Sequence, residues 1–110
     1  MKKKESRIIH RAHIFFSGRV QGVGFRYTVE KIALEIGLVG WVKNLPNNRV
    51  EVVCEGTKNR VELLLENIKQ SFLGKHIKKI ICDWEKPTGE FQDFFIEYYY
   101  WDDSPQNLYG

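Results

Sequence analysis

Between Gly18 and Arg26 the chain reads G-R-V-Q-G-V-G-F-R, three glycines and two arginines within nine residues. Gly18, Gly22 and Gly24 open backbone conformations closed to other residues, and without a Cβ they let an anion come close. The N–H groups of such a stretch can turn inward together, and a helix that begins directly behind it adds the positive end of its dipole. The chemistry this permits is the cradling of a phosphate. Arg26, in the first turn of that helix, can point back over the loop and donate two parallel hydrogen bonds to phosphate oxygens. Neither nucleotide-binding fingerprint is present: there is no G-x-x-x-x-G-K-[ST], and the glycines are not spaced as G-x-G-x-x-G. Alone, the nine residues support an anion loop, with a plain glycine-rich turn and solvated arginines as the alternative.

The elements that would position this loop are readable on either side of it. Residues 12 to 17, A-H-I-F-F-S, predict a strand with Ala12, Ile14 and Phe16 on one face. After the loop, Phe25, Val29, Ile32, Ala33 and Ile36 draw one apolar stripe along a helix that Gly37 is placed to end, with Tyr27, Glu30, Lys31 and Glu35 on the wet side. Leu38 to Leu45 and Arg49 to Glu55 predict two strands joined by the hairpin turn L-P-N-N, the second with Val50, Val52 and Cys54 opposite Glu51, Val53 and Glu55. Thr57 is a suitable N-cap for a second helix whose stripe is Val61, Leu64, Leu65, Ile68 and Phe72. Strands over 77 to 85 and 91 to 100 follow, split by K-P-T-G, and Tyr98, Tyr99, Tyr100 and Trp101 close the last one as packing residues rather than as a platform for bases. The order is β-α-β-β-α-β with an extra C-terminal strand. Two helices with one apolar face each can cover one side of an antiparallel sheet, which is an α+β two-layer sandwich.

Composition narrows the function classes. With 110 residues, 43% hydrophobic, 28% charged and 14% aromatic, the chain is expected to form one globular domain. Its net charge of +3 comes from the first eleven residues, which carry +4: Lys2, Lys3, Lys4, Arg7 and Arg11 face only Glu5. The remainder is about neutral, so residues 1–11 are expected to be a flexible basic arm, and no nucleic-acid partner is indicated. Residues 101–110 form a tail without periodicity. No stretch approaches the roughly 18 apolar residues of a membrane span, and the charged start shows no apolar signal segment, which leaves no membrane partner and a cytoplasmic location as the expectation. Cys54 and Cys82 lack C-x-x-C spacing and read as small buried hydrophobes; His10, His13 and His76 lack ligand spacing and read as structural or surface residues.

A second stretch, G-W-V-K-N-L-P-N-N-R-V-E-V-V-C-E-G from Gly40 to Gly56, places Asn44 at the end of a strand just before the hairpin. Taken with G-R-V-Q-G-V-G-F-R, it resembles the acylphosphatase family over roughly residues 12 to 100. The resemblance implies a ferredoxin-like sandwich that hydrolyses the carboxyl-phosphate bond of acyl phosphates without metal or cofactor. It implies that Arg26 is the phosphate-binding arginine and Asn44 the residue that orients water. The phosphate loop would be the backbone amides of Arg19, Val20, Gln21, Gly22, Val23, Gly24 and Phe25. A small-molecule acyl phosphate would be the substrate, inorganic phosphate the product and inhibitor, and a monomer the working form. The catalytic role of Asn44 comes from the resemblance alone, whereas the loop and Arg26 are reached from the residues as well.

The chemistry suits so few groups. A mixed anhydride has a good leaving group, so phosphoryl transfer needs mainly neutralised charge and a positioned water. Two residues depart from the family pattern: Phe16 stands where an aliphatic residue is usual, and Asn48 replaces the hairpin glycine. The competing readings are a non-catalytic anion-binding or interaction module of the same fold and an RNA-binding ferredoxin-like domain. The strand R-V-E-V-V-C-E, acidic and aliphatic, lacks the aromatic residues the latter requires.

Overall fold

A computed structural model describes residues 7–98. Strict alternation builds the first strand, β1 (Ile9–Gly18), in which Ala12, Ile14 and Phe16 are buried and Arg11, His13 and Phe15 turn to the other face. Helix α1 (Phe25–Ile36) follows the glycine loop and ends at Gly37, whose φ of 89° lets its N–H and that of Leu38 reach back to the carbonyl of Ala33. Strands β2 (Val39–Asn44) and β3 (Val50–Thr57) form the expected hairpin. Helix α2 (Lys58–Gln70) starts as expected at Thr57, whose hydroxyl accepts from the Arg60 N–H at 3.3 Å. A single 3-10 turn (Gly74–His76) leads into β4 (Ile77–Glu85), and β5 (Phe94–Ile96) completes the sheet.

The strands lie in the order β4-β1-β3-β2-β5. The first four are antiparallel, and α1 and α2 cover one face, giving the ferredoxin-like arrangement. The expectation of a wholly antiparallel sheet is corrected at β5, which runs parallel to β2. From β4 on one edge the chain crosses to the opposite edge and reverses direction, and because β2 there already runs opposite to β4, β5 lies parallel to it. The segment 86–93 makes that crossing over the face without helices. There the Thr88 and Gly89 N–H groups donate to the Glu55 carboxylate at 2.8 and 3.0 Å. Glu55, on the open side of β3, is therefore only 3% exposed.

Three further boundaries differ from the sequence reading. The sheet begins at Ile9, so Arg11 is no part of a free arm: its Nε lies 3.4 Å from Glu55 and its Nη2 3.1 Å from Glu90. Phe72 is 57% exposed, because α2 ends at Gln70 and the helical phase does not extend to it. The Ser71 hydroxyl donates to the Ile68 carbonyl at 2.6 Å, accepts from the Leu73 N–H at 3.1 Å, and so delivers Leu73 to the core in its place. The last strand is three residues long rather than ten; Tyr98 follows it, and Tyr99, Tyr100 and Trp101 lie outside the described residues. Cys54 and Cys82 both carry free thiols, Cys54 buried and Cys82 half-buried.

On the open face His13 joins three strands. Its Nε2 meets Glu51 of β3, and its Nδ1 lies 3.0 Å from Glu85 of β4. Asp83 stands opposite it on β4, and Lys43 approaches Glu51 at 3.7 Å. Burial lowers the His13 pKa, but the hydrogen bonds and charges of the two carboxylates outweigh it, leaving the pKa above its ordinary 6.5. The folded state thus favours the imidazolium. Its stabilising contribution is full below the ordinary pKa and disappears as pH rises through the raised one. His13→Gln is expected to be less stable than the native chain below pH 6.5, with the gap in urea midpoint narrowing as pH rises above it; a gap independent of pH contradicts the bridge. In the hairpin, Asn48 has φ of 64°, the positive value its position suggests. Asn48→Gly is expected to stabilise the fold by up to about 1 kcal/mol, and a lower melting temperature would count against that.

Candidate active site

β1 leaves the sheet at Gly18, where φ is 129° and a Cβ would collide with the carbonyl oxygen of His76. Only glycine lets the strand end so close to the 3-10 turn. The Arg19 N–H then donates to that same carbonyl at 2.9 Å. Val20 is fully buried and Val23 packs on the core, so the loop is anchored from below by two apolar side chains with Gly22 exposed between them. Gly24, with φ of 79°, is the N-cap of α1 in the left-handed region. It offers no side chain to the helix, and the first turn of α1 holds no acidic residue. α2, capped by Thr57, is satisfied by its own sequence. α1 presents its dipole to the loop with no capping side chain in between, as an anion site requires.

Arg26, the second residue of α1, is 1% exposed, and the ring of Tyr98 lies over its guanidinium at 5.0 Å. Tyr98 is therefore neither core nor free edge: it covers the arginine. Burial, a hydrogen bond with Tyr27 and the Tyr27 and Glu30 charges raise the Tyr98 hydroxyl pKa above 10.0, against the opposing pull of Arg26, so it stays neutral near pH 7. Below α1, the buried edge-to-face contact of Phe16 with Phe25, 5.1 Å between centroids, fixes the helix start on β1. Asn44 is fully buried at the last rung of β2, opposite Val50.

One side chain brings the two motifs together. Gln21 Nε2 donates both of its hydrogens across to the β2–β3 hairpin, to the Leu45 carbonyl at 2.8 Å and the Arg49 carbonyl at 2.9 Å. Those strands are also joined by the Leu45 N–H to the Arg49 carbonyl, at 2.8 Å. The glycine loop is thereby tied to the residue next to Asn44, while Arg26 follows the loop in the chain. Of the expected loop amides, that of Arg19 is engaged by the His76 carbonyl at the sheet edge. Sequence reasoning treated Gln21 only as a backbone amide. Its signal was the long side-chain amide itself, set between glycines where nothing else could reach across. Cys54, pushed up to about 12 by burial and by the Cys82 and Glu55 charges, is not a thiolate near neutral pH. Among the described residues no three His, Cys, Asp or Glu side chains are grouped to hold a metal ion.

Comparison with known proteins bears on what this geometry is. The family model for Acylphosphatase matches residues 12–96. An acylphosphatase of Roseiflexus sp. (strain RS-1) is 43% identical over 86 residues, covering 78% of this chain and 92% of that protein. One from Acaryochloris marina (strain MBIC 11017) is 46% identical over 80 residues, covering 73% and 85%. The crystal structure of acylphosphatase from Bacillus subtilis superposes with a TM-score of 0.74 at 34% identity, covering 83% of this chain and all of the other.

The Gln21 bridge is open to direct test. Gln21→Ala takes the side-chain donor from the Leu45 carbonyl and leaves the Arg49 carbonyl with the Leu45 N–H alone, and is expected to destabilise the chain by about 1–3 kcal/mol. Hydrogen exchange should rise at the amides of residues 20–25 more than in α2; a uniform rise across the fold would show the bridge to be ordinary packing.

Proposed function

The chain belongs to the acylphosphatase family and hydrolyses acyl phosphates, and we propose that it does so with the loop amides of Val20 to Phe25, the Arg26 guanidinium and a water held by Asn44. The observation that carries this assignment is the Gln21 bridge, which sets the glycine loop, with Arg26 directly behind it, against the end of β2 where Asn44 is buried. In this reading the loop amides and Arg26 receive the phosphoryl oxygens. Burial strengthens each of those interactions relative to water. Asn44 uses its side-chain amide to place a water in line with the bond to be broken. The water oxygen attacks phosphorus, the bond from phosphorus to the carboxyl oxygen breaks, and its electron pair leaves with the carboxylate. The proton of the water passes to a phosphoryl oxygen of the substrate, which gives inorganic phosphate.

The carboxylate is a weak base and needs no general acid, which agrees with the absence of His, Asp or Glu from both quoted motifs up to Asn48. The proposal needs no metal, places the chain in the cytoplasm as a monomer, and makes inorganic phosphate a competitive inhibitor. No described helix is long and apolar enough to cross a membrane. The RNA-binding alternative would use the open sheet face, but Glu51, Glu55, Glu85 and Glu90 line it in ion pairs with His13 and Arg11, and four carboxylates oppose a polyanion.

Arg26→Ala is expected to lower kcat/KM for benzoyl phosphate by about 10³-fold or more, with little rescue in Arg26→Lys, which lacks the two-pronged donor geometry. Asn44→Ala is expected to lose on the order of 10²-fold. Hydrolysis by the native chain should persist in EDTA. Near-native turnover in either alanine variant would sink the assignment.

A further inference from the structure

Beside the loop lies an open depression of about 390 Å³ lined by Gly18, Arg19, Val20, Gln21, Asn48 and Lys78. Two of these residues, Val20 and Gln21, also belong to the proposed phosphate loop and Arg19 directly precedes it, so cradle and depression share one stretch of backbone. Gln21 already gives its side-chain hydrogens to the hairpin carbonyls, which leaves the Asn48 amide and the two cations as the polar functional groups of the lining. Arg19 and Lys78 are exposed, and neither is ion-paired to a carboxylate among the described residues. The chain running into β4 reads K-H-I-K-K from Lys75 to Lys79, so the rim on that side is basic too. Lys78 sits at the irregularity of the β1–β4 pairing, where Ser17 faces Lys79 and Gly18 faces Ile77. The bulge leaves Lys78 without a β1 partner in the register, which re-aims its side chain.

We infer that this depression receives the acyl portion of the substrate, and that Lys78, with Arg19, selects acyl phosphates whose acyl portion ends in a second anionic group. The inference rests on the acyl phosphate reading of the adjoining loop. A phosphate held by the loop must leave its acyl group outside the cradle, and the concavity walled by the same residues is where that group finds contact. The lining is about evenly polar and apolar, so it accepts an acyl chain, and its two positive charges can meet a carboxylate at the end of that chain. Because both cations are solvated, the discrimination is modest and falls with salt.

The test uses three substrates of matched shape: benzoyl, 4-methylbenzoyl and 4-carboxybenzoyl phosphate, assayed with the full chain. One exposed ion pair is worth up to about 1 kcal/mol, or about 5-fold, so the native chain is expected to favour the carboxylated substrate over the methylated one in kcat/KM by about 5-fold, mainly through KM. Lys78→Ala should bring that ratio close to one while leaving 4-methylbenzoyl phosphate turnover unchanged, and Lys78→Glu should invert it. Lys58→Ala, which removes a lysine at the start of α2 beside Trp84, at the other end of β4 from Lys78, should leave the ratio intact, and 0.5 M salt, about a 4 Å screening length, should reduce it. Equal rates on the carboxylated and methylated substrates in the native chain would overturn the inference. So would a preference that survives Lys78→Ala, or one that Lys58→Ala weakens as much. Arg26→Ala separates the two levels: it should suppress all three substrates alike, and undiminished turnover there would refute the loop assignment itself, whatever Lys78 does.

Discussion

Both hydrogens of a single amide nitrogen, Gln21 Nε2, decide whether this molecule has one site or two unrelated loops. The glycine turn hangs between β1 and α1, and the hairpin hangs between β2 and β3; neither belongs to the other's secondary structure. Sheet pairing brings β2 only as far as β3, two positions from β4. Without a direct link, the distance between the loop amides and Asn44 would be set by the flexing of two separate turns. Preorganisation is what a site of this kind supplies to phosphoryl transfer, because there is little covalent work for the protein to do. The bridge converts two turns into one rigid wall, and the apolar anchors Val20 and Val23 hold that wall on the core.

The two faces of the sheet divide the remaining labour. The helix side is apolar and continuous, from Ala12 through Phe16 and Val52 to Leu64, and it fixes the origin of α1. The open side is held by ions: Arg11 with Glu55 and Glu90, His13 with Glu51 and Glu85. These groups let the segment 86–93 cross from β4 and deliver β5 to the far edge, from where Tyr98 reaches Arg26. A charged network on one face thus places the aromatic ring that covers the functional cation on the other.

The legible parts of the sequence are those whose signal is local. The stripe Phe25, Val29, Ala33 gives α1, Gly37 ends it, and Gly18, Gly22 and Gly24 announce a tight loop because the backbone they adopt is nearly forbidden to other residues. Asn44 carried no such signal; a lone asparagine before a turn is ordinary, and its role came through resemblance to a family. What escaped was long-range. The parallel sense of β5 depends on a crossing whose anchor, Glu55, reads as a plain solvent-facing residue of β3 until Thr88 and Gly89 are seen upon it. Phe72 fits the α2 stripe by number and misses it in space, because the Ser71 side chain competes for the backbone and ends the helix first. The Arg19 amide is taken by the His76 carbonyl, a pairing that a glycine loop does not reveal from its own sequence.

The burial of Arg26 sets the character of the whole site. A desolvated cation is costly, and a fold retains one where the low dielectric strengthens its hold on an anion. Here the ring of Tyr98 over the guanidinium offsets part of that cost, and the first turn of α1 carries no carboxylate to neutralise the charge. An acidic cap at Gly24 would stabilise α1 by the usual dipole argument and occupy the very position a phosphoryl group needs. The residue types at the head of α1 are accordingly poor for helix stability and suited to anion capture, so the stabilisation the cap could give is shifted to β1, α2 and the open-face ion network, where the sequence follows the ordinary rules.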